Sequence, residues 1–422
     1  MGLLALPFLQ LVGCGDATSA QERDLLLTDA ATPDAAAAPA LPFALDLSYA
    51  TSGVAEVRAS YPLINTSVRP DGAVVFLEDT RTFDFPQQQL CALTPSGAPQ
   101  ATFGAAGCRD FDHLLVFLSS GLSLAGDGRV VLSSSSFEPD APTPTMIATV
   151  ARFDDTGVID ASFGTGGVVP AATPWLGVSA LVQERCGTYV LASIGAPSFD
   201  SAQPGLLLAR LSSTGEVLAT THHDLVAPGH DLDPLHLQID AQGGLVLAGL
   251  GVLARFDHDL HGVVGFGADG IVETGGLQVA VAWPLADGGL LVAGSQDGPA
   301  LARYLPDGSL DATFGSAGVS AIAGHAGDHI AAAVRLPDGG VLLGGATSTD
   351  EGPRALVARF DADGAPAPGF GEGGRAQLIV GAGGVARIVG MDTLANGDVL
   401  ITGQGTSATG PYAADFAWAV VP

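Results

Sequence analysis

Lysine is absent from this chain. All 16 basic residues are arginine, set against 44 Asp and Glu, for a formal charge of −28 at pH 7. Nucleic-acid binding needs Lys and Arg to displace counterions from phosphates, so this balance excludes nucleic acid as a general partner. It also argues against docking on anionic lipid head groups through a basic face. Charged residues make up 14% and aromatics 6%, whereas about a quarter charged is usual for a soluble domain. Several catalytic signatures are missing too. There is no GxSxG elbow, no P-loop and no GxGxxG after a strand. Neither HExxH nor a Cys-paired zinc spacing occurs. What is present is glycine, 58 residues in 422, with 47% hydrophobic content and 27 prolines. A glycine-rich, apolar, weakly charged chain of this kind points to many short strands joined by tight turns.

Leu3 to Val12 are apolar except for Gln10. The run is too short for a bilayer span, which takes about 20 residues, and it fits the apolar region of a secretory signal peptide. It ends Leu11-Val12-Gly13-Cys14, which resembles the lipobox of bacterial lipoproteins. That resemblance implies cleavage before Cys14, lipidation of its thiol, and anchoring by two or more acyl chains. The sequence departs from the pattern in having no Arg or Lys ahead of the apolar run. Residues 15–42, rich in Ala, Asp, Thr and Pro, lack apolar periodicity beyond Leu25-Leu26-Leu27 and read as a flexible tether. The expected organisation is a leader with its lipidated Cys at 1–14, a linker at 15–42 and a folded domain at 43–422.

Three signatures recur in fixed order through that domain. One is a turn followed by an apolar run, as in RPDGAVVFL around Gly72, ADGGLLVAG around Gly288 and PDGGVLLGG around Gly339. Another is an Ala-Arg-aromatic strand, as at Ala151-Arg152-Phe153 and Ala358-Arg359-Phe360. The last is a Phe-Gly pair before a short strand, at Phe103, Phe163, Phe266, Phe314 and Phe370. The turn glycines at 72, 128, 187, 243, 288, 339 and 397 define units of 45 to 59 residues. This period and its turns resemble the delta-60 repeat family of secreted and surface bacterial proteins. The resemblance covers about residues 45–422 and implies a β-propeller-like repeat with no established common activity. The family's usual Lys after the Asp-Gly turn is replaced here; only Arg129 keeps a basic residue at that place.

The residues themselves agree with an all-β repeat. Asp-Gly and Asn-Gly between apolar runs are hairpin signals. In the sixth unit, strands are expected at 330–336, 341–345, 354–360 and near 376–380. Four strands per unit is a propeller blade. Runs such as VLLGG are apolar on both faces, as strands between neighbouring blades should be. LDLSYATSGV at 45–54 aligns with LDATFGSAGV at 310–319, and the last unit ends after its third strand. The expected fold is therefore a seven-bladed β-propeller of four-stranded blades, its ring closed by the N-terminal strand. A β-solenoid is the alternative, and an outer-membrane barrel is disfavoured by the scarcity of aromatics.

The Asp residues of the hairpins, including Asp71, Asp127, Asp287 and Asp338, are expected to form turns by accepting nearby backbone N–H groups. Histidine is the uneven feature. Four of nine fall in HHDLVAPGHDLDPLH, which replaces the Phe-Gly signature of the third unit. His230, Asp231, Asp233 and His236, with His325, Asp328 and His329 of an equivalent loop, are the candidate binding or metal set, because imidazole and carboxylate suit a divalent metal. No other cofactor is expected. Acids interleaved with aromatics in the loops at 78–89, 137–145, 199–205 and 348–354 form a second candidate surface. Cys91 and Cys108 could pair across one hairpin.

Two functions follow. One is a monomeric, lipid-anchored, exported scaffold at the bacterial cell envelope, at the outer membrane, binding protein or glycan partners. It touches the membrane only through its anchor. The other is an envelope hydrolase or lyase with an axial acid and histidine site, served by a metal. An enzyme would require those titratable groups to converge in one pocket.

Overall fold

The hairpin turns set the architecture. At each of Gly72, Gly128, Gly187, Gly243, Gly288, Gly339 and Gly397 the backbone φ lies between 81° and 92°. Asp71, Asp127, Asp287 and Asp338, which precede four of them, do not share this conformation, so these turns bend on glycine alone. The Asp contributes through its carboxylate. Oδ1 of Asp71, Asp287 and Asp338 each accepts a backbone N–H two residues further on at 2.9 Å, and Asp127 does so at 3.2 Å.

In the computed structural model the described residues are 44–45, 54–57, 63–69, 71–79, 88–111, 121–138, 145–172, 176–184, 187–196, 205–224, 236–249, 251–325, 327–349, 352–378, 385–394, 396–406 and 413–421. The leader and linker expected at 1–42 lie outside them, as do most of the acid and aromatic loop residues. The chain divides into Met1–Pro39 and Ala40–Pro422, and the second unit carries the strands. No helix among the described residues is long and apolar enough to cross a membrane.

Six antiparallel sheets have four strands each, taken in chain order: blade 1 at 63–111, blade 2 at 121–172, blade 3 at 176–224, blade 4 at 236–273, blade 5 at 278–321 and blade 6 at 329–378. In blade 6 the strands are His329–Arg335, Val341–Thr349, Gly352–Phe360 and Arg375–Leu378. The remaining sheet differs. It holds Val385–Thr393, Val399–Thr406 and Ala413–Val421, together with two N-terminal strands, Val54–Val57 and Ala44–Leu45.

The expectation of seven four-stranded blades is thereby corrected. The propeller has six four-stranded blades, and a five-stranded composite sheet stands between the sixth and the first. The reason lies in the last strand. Val54–Val57 pair with 415–418 and Ala44–Leu45 with 420–421, so two short segments lie end to end along one edge. Leu45 stands opposite Val420 as Leu310 stands opposite Tyr304 in blade 5.

The core lies between sheets. Each interface holds its own apolar cluster. Leu207 and Leu211 of blade 3 meet Val131 and Val150 of blade 2, and Leu343 and Phe360 of blade 6 meet Ala293 and Leu301 of blade 5. Val74 and Phe76 of blade 1 meet Leu394 and Leu400 of the composite sheet. That last cluster makes the array a ring and removes the solenoid alternative.

Two of the sequence signatures prove to be inter-blade fasteners. Phe103, Phe266 and Phe314 of the Phe-Gly pairs each lie against a turn glycine of the next blade, Gly157, Gly308 and Gly364. A Cβ at Gly157 would lie 2.6 Å from the Phe103 ring, and one at Gly364 would lie 2.4 Å from Phe314, so glycine is required at both. The Gly164 N–H donates to the Thr214 carbonyl at 2.8 Å, and the Gly267 N–H to the Asp307 carbonyl at 2.9 Å. The Arg of the Ala-Arg-aromatic strand, and Arg210 of Ala209-Arg210-Leu211 in blade 3, also reach forward. Arg152, Arg210 and Arg255 donate to the carbonyls of Ser213, His258 and Gly288, all in the following blade. Each is neutralised within its own blade, by Asp160, Glu184 and Asp240 at 2.8 to 2.9 Å. These are buried ion pairs with additional hydrogen bonds, the form in which desolvation is best offset. The Arg152 guanidinium also stands 4.5 Å above the Phe163 ring.

Two blades solve the same problem differently. Blade 1 has Ala92 where the others have Arg, and Arg69, from the end of its first strand, supplies the cation 5.7 Å from the Phe103 ring instead. Burial lowers the Arg69 pKa, and its Nε and one terminal nitrogen have no partner. Blade 3 has no Phe-Gly pair. Opposite the gap, blade 4 carries Leu260 where its neighbours carry the turn glycine. Leu260 takes φ 64°, is fully buried and packs with Leu206 and Leu208 of blade 3. The two exceptions are one exchange: a missing ring on one side is filled by a leucine on the other.

Candidate functional site

The innermost strand of every sheet leaves one edge facing the ring axis, and there the chain encloses a cavity of about 860 Å³. Its wall includes Thr66 and Ser67 of blade 1, His236 and Gln238 of blade 4, Trp283 of blade 5, His329 and Arg335 of blade 6, and Arg387 and Asp392 of the composite sheet.

Strand register sets the height of each side chain along the axis. Ser67, Gln238, Trp283 and Asp392 all pair with the second residue of the following strand, namely Val75, Val246, Leu291 and Leu400. They form one level near the hairpin-turn face. His329 pairs with Ala346 and Arg387 with Gln404, each five residues into the following strand. These two stand at one level on adjacent sheets, at the opposite mouth. Four residues of strand rise separate the levels, about 13 Å. Arg335 lies at the hairpin-face mouth, opposite Val341.

Burial disfavours the charged form of two wall groups. Burial pushes the His236 imidazole down to about 4. Its Nδ1 faces the Ala282 N–H at 3.4 Å, an acceptor role that suits a neutral ring. Asp392 is moved the other way, to about 7, because burial outweighs the hydrogen bond it accepts from the Val68 backbone. No hydrogen bond joins His236 to Asp392 among the described residues. Trp283 is half-buried, packed on the apolar cluster between blades 5 and 6. Arg387 donates from Nε to Oε1 of Gln404 at 2.6 Å, a neutral partner.

The residues marked in the sequence scatter. His236 and His329 line the axial cavity at different levels. Asp328 does not join them. Its side chain is fully buried, pairs with Arg375 at 3.1 Å and accepts the His325 backbone N–H at 3.1 Å, and so fastens the loop entering blade 6. His230, Asp231 and Asp233 lie outside the described residues. Among the described residues no group of three or more His, Cys, Asp or Glu is arranged to hold a metal ion. His223 meets the Phe256 ring at 4.8 Å and the Leu260 carbonyl at 3.0 Å, part of the Leu260 exchange. Cys91 and Cys108, directly opposite on neighbouring strands of blade 1, are joined in a disulfide. Trp283, Arg335, Arg387 and Asp392 were not singled out by the sequence. Trp283, Arg335 and Asp392 lie at or next to the last residue of an innermost strand, just before its hairpin turn, whereas Arg387 lies near the start of its strand, and no local pattern marks any of the four.

Residues 285–314 and 336–370 match the family described as Domain of unknown function (DUF5122) beta-propeller. The chain is a β-propeller repeat protein. No curated protein matches it. Among solved structures it is similar to a protein of unknown function from Dyadobacter fermentans DSM 18053, at 13% identity, TM-score 0.42, covering 87% of this chain and 100% of that one. It is similar to Chaetomium thermophilum Sqt1 at 13% identity, TM-score 0.41, covering 85% and 86%. It is also similar to an alpha-L-arabinofuranosidase of Fusarium graminearum, at 11% identity, TM-score 0.42, covering 90% and 96%.

Proposed function

We propose that this repeat protein is a non-enzymatic binding scaffold, lipid-anchored at Cys14 to the bacterial cell envelope, that holds a protein or glycan ligand in its axial channel. The observation that carries the reading is the cavity of about 860 Å³, large enough for a small ligand, with polar groups spaced along an otherwise small-residue wall. The scatter of the candidate acids and histidines over different levels and elements, rather than in one pocket, favours binding over acid–base catalysis. The lipobox-like Leu11-Val12-Gly13-Cys14 supports the anchor, and the tether at 15–42 would hold the ring away from the lipid surface.

The test is a panel of envelope glycans and proteins probed with the purified full chain and with Ala331→Trp, which places a large ring in the cavity wall. Binding that disappears in the variant is expected. Binding that survives it unchanged sinks the channel as the site. Cys14→Ser should move the chain out of the membrane fraction, and persistent membrane association would refute the anchor.

A further inference from the structure

Most arginines that fasten the blades are paired with carboxylates, whereas two arginines of the axial channel have no acidic partner among the described residues. In a chain of −28, Arg152, Arg210 and Arg255 between blades each reach a carboxylate, as do Arg303 with Asp287 at 2.6 Å and Arg359 with Asp338 at 2.5 Å. Arg335 and Arg387 have none. Arg387 has the neutral Gln404, and Arg335 is exposed with no partner among the described residues. Both line the channel, one at each mouth. Asp392, the one carboxylate among the described residues of the channel wall, is pushed up to about 7 by burial and forms an ion pair with neither arginine. His329 stands level with Arg387 on the adjacent sheet and adds a further donor at that mouth.

The wall between the mouths is not apolar. Thr66, Ser67, His236 and Gln238 present hydroxyl, imidazole and amide groups. An aliphatic or aromatic acid would strip water from these groups and give nothing back, at a cost for each. A hydroxyl-rich body would satisfy them. Trp283 offers a rigid apolar ring supported from behind, against which the face of a sugar can lie. Cations at two mouths, five residues of strand apart and hence about 17 Å along the axis, suit a ligand with repeated negative charges rather than one.

From this juxtaposition we infer that the channel binds an acidic oligosaccharide, a chain of sugars carrying carboxylates. One carboxylate is held by Arg387 with His329, another sits near Arg335, and a sugar ring rests on Trp283. Two unpaired guanidinium groups in a strongly acidic molecule also select for such a ligand at the entrance, since the surrounding surface repels anions everywhere else. The inference rests on the channel being the binding site and adds the chemistry of its occupant.

The experiment is calorimetric titration of the full chain with a tetragalacturonate and with the uncharged galactose tetrasaccharide. The uronate should bind about tenfold or more tightly than the neutral sugar, with affinity falling as salt rises. Arg387→Gln should lose about tenfold for the uronate and nothing for the neutral sugar. Arg387→Lys should restore part of it, and Trp283→Ala should weaken both. Equal affinity for the two sugars, unaffected by Arg387→Gln but lost in Trp283→Ala, would overturn the acidic ligand while leaving the channel as a site. Binding of neither sugar would overturn the saccharide, and the Ala331→Trp panel then decides the channel independently.

Discussion

Asp392→Asn should make this protein more stable at alkaline pH, although it removes a native side chain. In the folded chain the carboxyl titrates at about 7, against 3.8 for a free aspartate, because burial disfavours its charge. Below about pH 4 both folded and unfolded chains hold the proton and nothing is lost. As pH rises from about 4 to 7, the unfolded chain releases its proton first, so stability falls. Above pH 7 the native state contains a desolvated carboxylate, whose cost by linkage is about 4 kcal/mol at most. Water entering the channel offsets part of this, and about 2 kcal/mol is the expected gain for the asparagine variant at pH 8. Asparagine keeps an oxygen to accept the Val68 N–H. His236 runs in the opposite sense. Its native value of about 4 lies below the ordinary 6.5, so the unfolded chain takes up a proton first as pH falls, and stability drops between 6.5 and 4. The wild-type profile should therefore be shallow from pH 4 to 6.5, where the two trends oppose, and decline towards 7. The variant should instead climb to pH 6.5 and stay level. Urea melts at pH 4.5, 6.5 and 8 measure this. Identical profiles for the two proteins, or a variant less stable at pH 8, would refute the account of Asp392.

Other outcomes follow from the fasteners between blades. Phe163→Ala empties a fully buried ring site and should cost about 3–5 kcal/mol, read as a lower urea midpoint. Gly157→Leu should destabilise, because a side chain there meets Phe103, whereas Leu260→Gly should destabilise for the contrary reason, a cavity opposite blade 3. If Gly157→Leu melts like the wild type, the exchange between ring and leucine is wrong. Replacing Cys91 and Cys108 together by Ala should lower stability by about 2–3 kcal/mol under oxidising conditions and leave the reduced protein unchanged.

The strands of blade 6 could be placed within a few residues from the sequence because their information is local. A turn glycine at Gly339, a bounded apolar run and an aromatic at Phe360 each act within a dozen residues. The composite sheet could not be counted in the same way. Its edge is filled by Ala44–Leu45 and Val54–Val57, short strands whose partners lie over 350 residues away. The site was hidden for a related reason. His236 and His329 were noticed as histidines, but histidine identity does not give a height on the ring axis. Trp283, Arg387 and Asp392 become neighbours of a channel only once five strands are set side by side. Asp328, which looked like a ligand, is consumed by Arg375, a partner 47 positions away that no local pattern announces.

The composite sheet also determines when this molecule can be finished. The arginine and Phe-Gly fasteners join neighbouring blades and can engage as soon as the next blade exists. The pairing of Val54–Val57 with 415–418 cannot begin until those residues, more than 350 positions later, have emerged. An early segment must therefore wait, unpartnered, through the assembly of six blades, and the closing step carries the largest loop-closure cost in the chain. The ring thus reports its own completion. A chain cut short before 413 leaves two open sheet edges, at 54–57 and at 399–406, and bare strand edges are what aggregation and proteolysis act on.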